Sequence, residues 1–136
     1  MKLAVIVTRG STNNLFQAAT LVRAATALDY AVDVLFRDEA LVKLRRDRLN
    51  LAEWSAAYAP VRENLEERLR AAEFTDMETF LRDAKEHGDA VRFWACTDTL
   101  AAEQLTLEKL VPLVDGAITL ESFLDGARGA DAVLRF

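Results

Sequence analysis

Cysteine occurs once in the 136 residues, as Cys96, histidine once, as His87, and proline only twice. One thiol cannot close an internal disulfide, and one thiol with one imidazole is too few soft ligands for a zinc site, so neither a disulfide scaffold nor a metal centre is expected. Excess positive charge is missing too. Seventeen Lys and Arg stand against 22 Asp and Glu, a net charge of -5, which repels a phosphate backbone and argues against nucleic acid as a partner. No apolar run approaches the roughly 18 residues needed to cross a bilayer. The opening Met1-Lys2-Leu3-Ala4-Val5-Ile6-Val7 lacks the longer apolar stretch and small-residue cleavage site of a signal peptide. A cytoplasmic protein with no membrane partner is the expectation.

What is present is the composition of a folded domain. Half of the residues (51%) are hydrophobic and 29% are charged, and the length suits one domain spanning 1–136. Residues 3–7 form a β-branched apolar run without polar alternation, as expected of a strand buried on both faces of a parallel sheet. Thr8 to Asn14 then supplies turn and cap residues. Leu15, Ala18, Ala19, Val22 and Ala25 follow at helical spacing, and Val32–Phe36 reads as a second strand, which completes a βαβ unit.

The middle, about 43–88, is helix-rich and more polar. Lys43-Leu44-Arg45-Arg46-Asp47-Arg48 reads as a solvated loop or helix face. Trp54, Tyr58, Val61 and Leu65 recur at near-helical spacing, and Pro60 divides them by opening a second helix. This stripe is expected to be core, or else a subunit contact. Glu66 and Arg70 are spaced as an i,i+4 pair, and Thr75-Asp76-Met77-Glu78 has the form of a capping box. A third strand at 91–96 ends in Thr97-Asp98-Thr99. Helical pieces are expected at 100–105 and 107–113, a strand at 117–120, a short helix at 122–127 and a last strand at 132–136. Five strands alternating with helices predict a three-layer α/β/α domain with a mainly parallel sheet and ligands at the carboxyl ends of its strands.

Two loops should share that carboxyl edge. Gly10, Ser11, Thr12, Asn13 and Asn14 resemble a phosphate cradle in outline, because a glycine permits close backbone approach and a helix N-terminus offers N–H groups. The turn lacks the Walker ending and the G-x-G-x-x-G spacing, so a plain cap-rich turn accounts for it as well. The other loop holds Cys96, followed by Thr97, Asp98 and Thr99. A thiol just before a helix N-terminus is biased toward the nucleophilic thiolate, whereas Asp98 capping the same helix opposes that bias. A small buried hydrophobe at a strand end is the competing reading of Cys96. His87 reads as a surface residue at a helix end, and no role falls to Glu103 or Glu108.

The run Val91-Arg92-Phe93-Trp94-Ala95-Cys96, with Leu107 to Val111, Asp115-Gly116-Ala117, Phe123-Leu124, Ala127 and Val133 to Phe136, resembles the DsrE/DsrF-like sulfur-relay family. The likeness is best over 89–136, looser over 1–42, and uninformative over 43–88. It implies a cytoplasmic α/β/α protein, commonly a trimer or hexamer, in which a cysteine at the position of Cys96 carries sulfane sulfur as a persulfide between donor and acceptor proteins. Several relatives have a Ser/Met-rich segment after that cysteine, whereas this chain has Thr97-Asp98-Thr99-Leu100. Two functions follow. One is a sulfur carrier or sulfurtransferase in which Cys96 is catalytic and Thr97 and Thr99 backbone N–H groups steady negative charge, with no metal and no cofactor. The other is a non-catalytic binding or assembly module that holds a small anion or nucleotide at Gly10–Asn14. Flavin is the weaker form of the latter, because no second aromatic loop is evident to sandwich its ring.

Overall fold

The computed structural model describes residues 1–136. Its strands are β1 (Lys2–Val7), β2 (Ala31–Phe36), β3 (Val91–Cys96), β4 (Gly116–Ile118) and β5 (Ala132–Arg135). Its helices are α1 (Thr12–Ala27), α2 (Asp38–Lys43), α3 (Arg62–Ala71), α4 (Met77–Glu86), α5 (Thr97–Ala102) and α6 (Leu120–Gly126). The sheet runs β4-β3-β2-β1-β5, and every ladder in it is parallel. This is the three-layer architecture that the strand–helix alternation predicts.

Side-chain alternation divides the apolar residues between two faces. Leu3, Val5 and Val7 of β1, Val32, Val34 and Phe36 of β2, and Val91, Phe93 and Ala95 of β3 pack with α1, α2 and α4 in one large cluster. The small side chains of Ala18, Ala19 and Ala25 let α1 lie close on the sheet, and the Ser11 hydroxyl caps it by accepting from the N–H of Asn14. Asp76 caps α4 in the same way, through the N–H of Thr79. The opposite face carries a much smaller cluster of Ala4, Leu35, Cys96, Phe123 and Ala127. The reason is topological. The chain steps from β1 to β4 in one direction and must then return past three strands to reach β5, and a right-handed return carries its helix, α6, across the other face. One seven-residue helix covers that face.

Several sequence expectations are corrected. The fourth strand ends at Ile118, and Leu120 opens α6, because Thr119 caps that helix by accepting from the N–H of Ser122. The piece expected at 107–113 is only a 3-10 turn at Leu107–Lys109, followed by an isolated antiparallel bridge between Leu110 and Arg45. Trp54 and Tyr58 lie in an irregular segment rather than on a helix with Leu65, and none of the stripe is core: Tyr58 and Val61 are exposed. The hydrophobic anchors of that region are Leu44 and Leu49. Glu66 accepts from the indole N–H of Trp54, not from Arg70.

Candidate functional site

Both loops follow strand ends at the carboxyl edge, and each spends its polar groups on a different part of the chain: the first on residues 51–55, the second on Asp38. The N-terminus of α1 is occupied by the chain's own segment 51–55. Thr12 N–H donates to the Glu53 carbonyl at 2.7 Å, the Glu53 N–H donates to Thr12 Oγ1 at 2.8 Å, and Asn13 exchanges two hydrogen bonds with Ser55. Asn14 donates to the carbonyl of Arg9. Gly10 is explained by packing: a Cβ there would lie 2.5 Å from the Glu39 carbonyl oxygen. The Thr12 N–H at this helix start is thus already taken by a carbonyl of the chain itself.

Beside this turn opens a cleft of about 490 Å³ bordered by Gly10, Ser11, Lys43 and Trp54. Four carboxylates line it, those of Asp38, Glu39, Glu53 and Glu103, against the two cations Lys43 and Arg48. Both cations are already engaged. Lys43, a buried residue, donates from Nζ to Glu53 Oε1 and to the Leu51 carbonyl, each at 2.6 Å, and Arg48 binds both oxygens of Glu53 at 3.0 Å. The hydrogen bonds from Arg48 and then Lys43 hold the Glu53 carboxyl down at about 2, and the same Glu53 bond raises the Arg48 guanidinium. An anionic ligand would meet a surplus of negative charge here.

Cys96 is the N-cap residue of α5, at the strand-to-helix junction that the sequence predicts. Its side chain turns to the α6 face, into the small cluster, and the residue is 0% exposed. The three positions after it differ in fate. Thr97 and Asp98 are exposed, whereas Thr99 is buried and its hydroxyl accepts from the Asp38 N–H at 3.1 Å, which ties α5 to the start of α2. Thr99 is a structural link rather than an open binding group. The N-cap of α5 makes no side-chain hydrogen bond, and Asp98 lies exposed in the first turn of the helix.

A second residue, missed by the sequence reading, stands at the end of β2 next to the end of β3. Beyond the paired residues Phe36 and Ala95, the next positions in register are Arg37 and Cys96, and the extended backbone of Arg37 keeps the alternation. Both side chains therefore leave the sheet on the α6 face. Arg37 Nε is buried without a hydrogen-bond partner, its nearest carboxylate oxygen being Asp38 Oδ2 at 4.0 Å. An unpaired buried donor costs about 1–3 kcal/mol and marks a place where an acceptor would be welcome. The sequence signal was only an arginine at a strand end. His87 lies at the opposite edge, as the C-cap of α4, with Nδ1 3.0 Å from Thr26 Oγ1.

No helix of the chain is long and apolar enough to cross a membrane. The sequence model of the DsrE/DsrF-like family matches residues 1–136. Among solved structures, a protein of unknown function from Methanobacterium thermoautotrophicum, MTH1491, aligns with a TM-score of 0.61 at 16% identity, over 99% of this chain and 98% of that one, a likeness of fold. No curated protein matches the chain.

Proposed function

We propose, because the chain belongs to the DsrE/DsrF-like family, that it is a sulfur carrier whose Cys96 thiol is shut away in the resting chain and exchanges sulfur when α6 lifts. The observation that carries this reading is the register of β2 and β3, which sets Arg37, with its buried and unpaired Nε, at the position next to Cys96 on the same face of the sheet. A thiolate or persulfide anion on Cys96 would give that donor its missing acceptor. The first N–H groups of α5, which helix geometry leaves without intrahelical partners, steady the same charge from the other side.

The step is thiol exchange without net redox change. The Cys96 thiolate attacks the outer sulfur of a donor persulfide, an S–S bond forms on Cys96, and the donor's inner sulfur leaves as its thiolate. An acceptor thiolate then takes the outer sulfur and returns Cys96 to the thiolate. Neither step is open to the closed chain, in which Cys96 is fully buried.

The cover is slight. Only Phe123 of α6 is buried, with Ala127 just beyond it, and burial of a phenylalanine is worth about 1.5–3 kcal/mol. Lys2 Nζ adds a hydrogen bond to the Gly126 carbonyl. An opening free energy of about 4 kcal/mol leaves roughly one molecule in a thousand open, enough for a partner protein that binds the open form to draw sulfur through.

A second reading is a non-catalytic binding or assembly module, and the complete burial of Cys96 favours it. In that reading the thiol only packs. The acidic balance of the cleft beside Gly10 speaks for a cationic or neutral polar ligand there rather than the anion or nucleotide that the sequence alone indicates. Treatment with a polysulfide followed by intact-protein mass spectrometry separates the two. The carrier gives a one-sulfur adduct that thiols remove and that Cys96→Ser abolishes; absence of the adduct on the folded wild type leaves the module.

A further inference from the structure

The α6 face of the sheet is covered unevenly. Strand register sets Ala4, Asp33 and Arg92 side by side on β1, β2 and β3, with Leu35 and Trp94 in the next row of that face toward the carboxyl edge. Phe123 of α6 packs on Ala4, Leu35 and Cys96, whereas Asp33 is only partly buried and Arg92 is exposed. Between helix and sheet lies a groove of about 230 Å³, with Ser122 and Phe123 on the helix side and Lys2, Asp33, Arg92 and Trp94 on the sheet side. It is separate from the cleft beside Gly10.

Charged side chains on the inner strands of a parallel sheet are unusual, because both faces are normally covered. Internal pairing accounts for two of these three. Asp33 Oδ2 meets Lys2 Nζ at 3.2 Å, and Oδ1 accepts from the Trp94 indole N–H at 3.3 Å. Lys2 Nζ also donates to the Gly126 carbonyl. Arg92 is left over: it takes part in none of the chain's ion pairs, and the carboxylate beside it is already shared. The groove therefore sets two cations against one carboxylate, in a chain whose net charge is -5. Trp94 is fixed at both ends. Its Nε1 is tied to Asp33 of β2, and its Cζ3 would lie 3.3 Å from a Cβ on Gly116 of β4. The indole thus stretches across β3 as a rigid aromatic wall, and glycine leaves room for it.

We propose that this groove binds a small organic carboxylate with a flat apolar body. The planar fork of the Arg92 guanidinium takes the carboxylate, and the body lies along Trp94 and against Phe123. The charge excess of one selects a monoanion. A neutral ligand leaves Arg92 unpaired, and a dianion is repelled by Asp33. The volume is below the roughly 300 Å³ at which pockets for drug-sized molecules begin, so a single ring with a short acid arm fills it. Binding here is independent of the chemistry at Cys96.

Titration of the full chain with benzoate, followed by nuclear magnetic resonance, tests this. The chain has only two indole N–H groups, those of Trp54 and Trp94, and Trp54→Phe assigns them. The Trp94 signal should shift to saturation, while that of Trp54, which lies outside the groove, stays in place. Arg92→Gln changes an exposed residue without an ion pair and should weaken benzoate about tenfold or more. Ser122→Phe keeps the backbone N–H that Thr119 caps and should do the same by filling the groove. Benzamide lacks the charge and acetate lacks the ring, so each should bind at least about tenfold more weakly than benzoate. A Trp94 signal that does not shift to saturation overturns the proposal. So does benzoate affinity unchanged in either variant, or benzamide or acetate binding as tightly as benzoate.

Discussion

Lys43 Nζ and Glu53 Oε1 lie 2.6 Å apart across the cleft, with the Lys43 side chain almost wholly buried and Glu53 partly in solvent. The pair joins the end of α2 to the irregular segment that fills the N-terminus of α1. Lys43 sits amid Ala40, Leu41 and Leu44, in an apolar stripe where a lysine is tolerated only because its ammonium has two acceptors. Replacing it by methionine keeps the stem's volume and leaves the Leu51 carbonyl and one side of Glu53 without their donor. Lys43→Met should cost about 1–3 kcal/mol in urea unfolding.

The depressed Glu53 carboxyl gives this pair a pH signature. A carboxyl whose folded value is about 2, against an ordinary value of 4.5, adds stability that is in full force above 4.5 and fades as the pH falls toward 2. Glu53→Gln should therefore be less stable than wild type at neutral pH, and the gap should narrow through that acid window. Thermal melts of both proteins from neutral pH to below pH 3 read the difference directly; a gap that stays constant with pH would assign the effect to packing.

Gly10 is closed in by the backbone of Glu39. A methyl group there would press within 2.5 Å of the Glu39 carbonyl oxygen and 2.8 Å of its carbon, both backbone atoms. Gly10→Ala should cost about 1–3 kcal/mol, the range for overpacking, with no accompanying loss of sulfur loading. Urea midpoints and polysulfide mass spectra on the same preparation measure both quantities.

Thr99 supports the thiol's surroundings indirectly. Its hydroxyl receives the Asp38 N–H, and Asp38 has a left-handed backbone, φ 52°. Thr99→Val keeps the shape and removes the acceptor, so the turn that carries Arg37 loses its tie to α5. A loss of about 1 kcal/mol is expected. Thr99→Ser, which retains the hydroxyl, should recover most of it.

Much of this fold was legible because its driving pattern is local. β1 is an unbroken apolar run after Lys2, and β2 and β3 are each interrupted by a single charged residue, Asp33 and Arg92, so all three announce themselves; the expected third strand at 91–96 is β3 to the residue. β4 was misplaced because Gly116-Ala117-Ile118 is short and Thr119 could end a strand or cap a helix equally well. The irregular stretch around Trp54 was read as helix because what holds it, Thr12 and Asn13 of α1, lies about 40 residues away in sequence. The position of Cys96 could be read, but not its burial. That depends on where the return connection lays α6, a consequence of strand order rather than of any residue near the thiol. Arg37 escaped notice for the same reason, since only the pairing of β2 with β3 sets it at the position next to Cys96.

Whether α6 is a gate over Cys96 is measured most directly by the rate of thiol alkylation near neutral pH at increasing sub-denaturing urea. Local lifting of a seven-residue helix exposes little surface, so the wild-type rate should be about a thousandfold below that of the unfolded chain and nearly independent of urea. Phe123→Ala should raise it about a hundredfold or more. A thiol that reacts only as the whole chain unfolds, with a rate climbing along the global urea slope in both proteins, would contradict the gate and with it the sulfur carrier.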